Sequence, residues 1–79
     1  MNAISPIVSN RTAARLRERG AYLSLAIRQR RLYWQYRKWA AEDEAAGDFA
    51  AYRKHMAEAN RLRTGARWHI QHAKETTYG

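Results

Sequence analysis

At 79 residues the chain has room for one domain, and a chain this short leaves much of its unfolded surface exposed when it folds alone. It has no cysteine, which excludes disulfide reinforcement, thiol chemistry and thiolate zinc sites. Fifteen Lys+Arg, most of them arginine, against seven Asp+Glu give a net charge of +8, which points to an anionic partner such as nucleic acid, an acidic protein surface or lipid headgroups.

The first ten residues, with Pro6 and then Ile7, Val8, Ser9 and Asn10, keep no period and read as a flexible tail, with Ser9 or Asn10 available as a helix cap. They carry neither the charge nor the apolar core of a secretory signal, and no run in the chain approaches the ~20 apolar residues of a membrane span. A soluble, cytoplasmic protein is expected. From residue 11 to 46 there is no proline and mostly strong helix formers, with Gly20 as the weak point. One long helix is predicted there, against the alternative that Gly20 breaks it and makes a three-helix bundle. Gly47 supplies a left-handed terminator and Asp48 an N-cap for a second helix over about 49–74, with 75–79 frayed. So short a connection makes the two helices antiparallel neighbours. The predicted fold is all-α, a long helical hairpin in one domain.

Ala13, Leu16, Gly20, Leu23, Ile27, Arg30, Trp34, Arg37 and Ala41 recur at steps of three and four and form one stripe of the first helix. The second helix matches it with Phe49, Tyr52, Met56, Ala59, Arg63, Ala66, Ile70 and Ala73. These stripes are predicted to form the seam. Folding about Gly47 would set Trp34 against Ala59, Ile27 against Ala66, Ala41 against Tyr52 and Gly20 against Ala73, large opposite small. A second apolar stripe, which includes Leu25, Leu32, Tyr36 and Trp39, falls on the far side of the first helix, where one hairpin cannot cover it. It is the expected protein interface, joining two copies into a four-helix bundle or docking on a different protein.

Between Glu18 and Glu42, and again between Glu58 and Glu75, there is no acidic residue. Facing each other in a hairpin, these spans would present Arg19, Arg28, Arg30, Arg31, Arg37, Lys38, Arg61, Arg63, Arg67 and Lys74, with Glu58 able at best to reach Arg37. Solvated helices ordinarily alternate cations with acids at i,i+4; here that compensation is missing, so the counter-charge is expected from outside. Arginine suits the task because its planar fork donates two parallel hydrogen bonds to a phosphate or carboxylate and stacks on flat rings. Tyr33 or Tyr22 would then stack on an exposed base. The competing reading makes Trp34 and Trp39 core or interface anchors and the arginines mere solubilisers. Arg30 and Arg63 fall at one level near the seam, where they either snorkel outward or hold an anion between them.

The acids gather at the turn, as Glu42, Asp43, Glu44 and Asp48. His69 and His72 share a face, but with His55 far away and no cysteine a metal site is not expected, and no catalytic motif is present. Leu32-Tyr33-Trp34 has a tryptophan where the leucine-tyrosine-arginine motif of small basic mitochondrial assembly factors has its arginine. The inferred architecture is similar in shape to small plasmid RNA-binding helical hairpins that dimerise into four-helix bundles. The expected function is therefore binding without catalysis, cofactor or small-molecule substrate: a dimeric DNA- or RNA-binding hairpin, or else an interaction module or inhibitor, for example a small phage or mobile-element anti-defence protein, docked on an acidic host protein. Membrane binding fits less well, because cations on both flanks and two apolar stripes suit a bundle.

Overall fold

The computed structural model describes residues 10–78, with side chains through 76. It contains two helices, α1 (Asn10–Ala45) and α2 (Phe49–Tyr78), packed against each other as a hairpin, with no strand among the described residues. Residues 1–9 of the expected tail, with the Ser9 cap, lie outside them, whereas Asn10 is the first residue of α1 and not part of a tail. α1 passes through Gly20 unbroken, so the three-helix alternative falls. A Cβ at Gly20 would meet nothing within 4 Å, and its only cost is the ~1 kcal/mol propensity penalty of an interior glycine. α2 runs on past Lys74, where fraying was expected, and Thr76 Oγ1 donates to the His72 carbonyl at 2.8 Å in its last turns.

The turn forms as the sequence predicts. Gly47 has φ 77°, its N–H donates to the Glu44 carbonyl, and the Asp48 N–H donates to that of Asp43. This pair of bonds is a Schellman motif, which satisfies carbonyls that the end of α1 would leave without partners. Asp48 also begins the next helix: its Oδ1 accepts from the Ala51 N–H at 3.1 Å, and its carbonyl accepts from Tyr52. A cap of this kind is worth about 1 kcal/mol.

The seam departs from the prediction by one residue on α1. The fully buried side chains are all alanine: Ala26 and Ala40 on α1, and Ala59, Ala66 and Ala73 on α2. Half-buried Tyr22, Gln29, Tyr33, Tyr36 and Asp43 complete the α1 side. The predicted stripe sits one position further along, about 100° of helix rotation, and of its members only Ala13 and Leu23 are half-buried. Leu16, Ile27 and Trp34 are accordingly 54%, 53% and 62% exposed instead of buried. On α2 the predicted Tyr52, Met56, Ala59, Ala66, Ile70 and Ala73 are buried or half-buried, while Phe49 and Arg63 are exposed. The expected contacts of Trp34 with Ala59 and Ile27 with Ala66 are thus replaced by a tight alanine seam. Small residues let two helix backbones approach closely, and polar pairs hold their register.

Two such pairs cross the seam. His55 Nδ1–H donates to Asp43 Oδ2 at 2.5 Å near the turn, and His69 Nδ1–H donates to Gln29 Oε1 at 2.8 Å. Gly65 makes room for the second, because a Cβ there would lie 2.6 Å from Gln29 Nε2. The result is a plate of 67 × 22 × 12 Å, a single layer of helix. Stable domains normally stack two layers around a core, and here both flat sides are open.

Candidate nucleic-acid interface

Helical phase, measured from the buried alanines, assigns each remaining residue to one side of the plate. One side collects the residues first expected in the seam, Leu16, Leu23, Ile27, Arg30, Trp34 and Arg37, together with Phe49, Arg53, Met56, Arg63, Arg67, Ile70 and Lys74. From Leu16 to Ala41 and from Phe49 to Lys74 this arginine face has no carboxylate, and the first acid in its phase is Glu44, beside the turn. The opposite side, the leucine face, carries Leu25, Leu32, Trp39 and Trp68 among Glu18, Arg28, Glu58 and Arg61. Its charges are mixed, and Arg61 Nη1 already pairs with Glu58 Oε1 at 3.1 Å.

On the arginine face the two helices enclose a groove of about 460 Å³ lined by Arg30, Tyr33, Trp34, Arg63, Ala66, Arg67 and Ile70. Each helix contributes two residues four apart, Arg30 with Trp34 and Arg63 with Arg67, which helix geometry stacks on one side. Tyr33 and Ala66, at seam positions, form the floor. Tyr33 is held in place, since its hydroxyl accepts from Arg37 Nη1 at 2.9 Å and that guanidinium lies 5.8 Å from its ring centroid. The Tyr33 ring in turn meets Trp34 edge to face, with centroids 5.0 Å apart at 73°. The indole is braced and yet remains largely open to solvent.

All ten cations expected to form one belt are exposed, but they do not lie on one surface. Arg30, Arg37, Arg63, Arg67 and Lys74 share the arginine face, and only Arg30, Arg63 and Arg67 meet in the groove. By helical phase Arg31 and Lys38 fall on the outer edge of α1, Arg28 and Arg61 on the leucine face, and Arg19 on the side of α1 that carries the seam. Glu58 reaches Arg61 and not Arg37. Of the four expected interface residues, Leu25, Leu32 and Trp39 are exposed on the leucine face, next to the seam and not opposite it. Tyr36 is half-buried in the seam, edge-on to Trp39 at 5.2 Å, and both rings pack on His55.

Sequence reasoning missed Trp68, whose ring stacks on His72 at 3.5 Å and 24° and meets Tyr22 edge to face at 6.1 Å. His72 is fixed by donating from Nδ1 to the Trp68 carbonyl at 3.0 Å. Tyr22 is therefore committed to an intramolecular cluster and is not a free stacking surface. Its hydroxyl donates to Glu18 Oε1 at 3.3 Å. Desolvation, then the Glu18 charge, then this hydrogen bond raise its pKa above the ordinary 10.0. Trp34 was read as a seam residue or anchor; the signal for its real position was the seven-residue spacing of Ala26, Tyr33 and Ala40 on α1, since the α2 alanines were already placed in the seam.

Among the described residues no three His, Asp or Glu side chains gather as a metal would require, and no helix is long and apolar enough to cross a membrane. Comparison with protein-family models, curated proteins and solved structures finds no match to this chain.

Proposed function

We propose that this protein binds nucleic acid without catalysing a reaction on it, through the arginine face, as a homodimer joined by the leucine face. One observation carries the reading: the two acid-free spans of the sequence share one flat side of the hairpin, where Arg30, Arg37, Arg53, Arg63, Arg67 and Lys74 lie in phase with no carboxylate among them. Unrelieved like charge on a rigid plate is compensated by a polyanion, whose condensed counterions are released on binding. Contacts of this kind run to phosphates and carry little base readout by hydrogen bonding.

The same distribution of charge supports the dimer. A two-fold contact brings a patch against itself, which would oppose six cations to six on one side and mixed charges around leucines on the other. Burial of Leu25, Leu32 and Trp39 between two plates supplies the missing second layer and makes a four-helix bundle with an arginine face on each outer side.

The test is electrophoretic mobility of duplex and single-stranded DNA and RNA against protein concentration and salt. Binding should weaken linearly on a log–log salt plot, and Arg63→Gln or Arg67→Gln should each reduce the slope by roughly 0.7–0.9. Unchanged mobility at low salt and micromolar protein would end this reading. The exposed leucine face favours one other, in which it docks on an acidic protein as a module or inhibitor. Nuclease-resistant recovery of one stoichiometric partner, lost on Trp39→Ala, is its signature.

A further inference from the structure

The groove between α1 and α2 holds more than charge. It joins three guanidiniums to a braced, open indole, and the two kinds of group want different parts of one ligand. From this juxtaposition we infer that the groove is a site for an unpaired nucleobase, stacked on Trp34, with the phosphates on either side of it held by Arg63 and Arg67 on one wall and Arg30 on the other. The inference rests on the nucleic-acid reading above and makes it specific for single strands.

Each part of the site follows from an observation already described. Trp34 is 62% exposed, the highest value among the large hydrophobic side chains of the described residues, although its neighbour Tyr33 holds it on one side. The exposed indole offers an open flat face beside the guanidiniums, and every base offers a π-face that can stack on it. The groove's volume of about 460 Å³ falls within the ~300–1,000 Å³ of small-ligand clefts, enough for a base with its sugar. Ala66 and Ile70 give the groove apolar lining between its cationic walls. Arg63 and Arg67 stand one helical turn apart, with Cβ atoms about 5–6 Å from each other, a spacing that adjacent phosphates of an extended strand can match. None of the groove's seven lining residues is an acid.

Duplex DNA satisfies only half of this arrangement. Its phosphates can reach the arginines, but its bases are stacked and paired, and turning one out costs energy that a single strand does not spend. An acidic peptide likewise satisfies the guanidiniums and leaves the indole uncovered. A single strand satisfies both.

The experiment uses the full chain and three fluorescently labelled probes of about twelve nucleotides, within the span of known single-strand sites. One is oligothymidylate, one is an abasic strand of the same length and charge, and one is a duplex. Oligothymidylate should bind roughly tenfold more tightly than the abasic strand, in line with the worth of one stacked base. Trp34→Ala should remove that difference while leaving the abasic strand's affinity unchanged, and Trp34→Phe should keep most of it. Because Trp34 lies outside the alanine seam, both variants should retain native helicity by circular dichroism, and that measurement accompanies each titration. Equal binding of the two strands by the native protein, or an unaltered preference in Trp34→Ala, overturns the base site; salt-dependent duplex binding would then still uphold the phosphate-binding face. Binding of none of the three probes overturns both. Trp34-dependent binding of polyglutamate at matched charge would also overturn the site, by assigning the groove to an acidic protein.

Discussion

Gly20 lies in the middle of a helix, exposed, with nothing near the place a Cβ would occupy. Its backbone carries no positive φ, unlike Gly47, so neither packing nor conformation requires a glycine. Gly20→Ala should therefore stabilise the protein by about 0.5–1 kcal/mol, read as a higher denaturant midpoint with an unchanged slope. Gly65 is a different case, since a methyl there would displace the Gln29 amide that receives His69. Tyr22 gives the residue scale a pH signature. Its raised pKa means that the fold favours the protonated phenol, so this contribution is whole below pH 10.0 and is lost as pH rises through the raised value. Glu18→Gln removes the negative charge while keeping an amide oxygen that can accept from the phenol, and should bring the Tyr22 ring titration, followed by NMR, part of the way back toward 10.0.

At the scale of the helices, the seam is the feature on which the fold depends. Ala59, Ala66 and Ala73 recur every seven residues and are buried against α1, whose own buried residues are Ala26 and Ala40 with Tyr33 and Tyr36 half-buried between them. A leucine at Ala66 would have to push the helices apart along their length, and overpacking of this kind costs about 1–3 kcal/mol. Ala66→Leu should lower the thermal midpoint and open the groove above it, whereas Ala57→Leu on the exposed edge of α2 should leave the midpoint nearly unchanged. The hairpin, its turn and its antiparallel order were legible because Gly47-Asp48 and the proline-free run before it act locally. The choice of seam was not. Hydrophobic periodicity favoured Leu16, Ile27 and Trp34, but the close approach is made by alanines and half-buried tyrosines and fixed by the Asp43–His55 and Gln29–His69 pairs, which score poorly on any apolar scale. One residue of rotation moved a predicted core stripe onto an open face, and with it moved Arg30 and Trp34 into the groove.

At the scale of the whole molecule, a single layer 12 Å thick leaves large side chains exposed on both sides, and an all-alanine interior gives little burial to offset the entropy of ordering. In the proposed dimer, a second copy on the leucine face would change that balance without covering the arginine face. Stability should then depend on concentration, because dimerisation and folding are linked by mass action. Leu32→Arg tests the arrangement, since Leu32 sits in the middle of the leucine face, exposed in one hairpin. In a two-fold contact the substitution places two new cations in one apolar interface. It should halve the mass measured by light scattering and lower the thermal midpoint at micromolar protein. Binding of short oligonucleotides to each arginine face should persist, while longer strands that engage both faces should lose the added avidity of a bivalent scaffold. If the native protein is monomeric over the same concentration range, or if Leu32→Arg leaves a dimer intact, the second layer is something other than a copy of this chain.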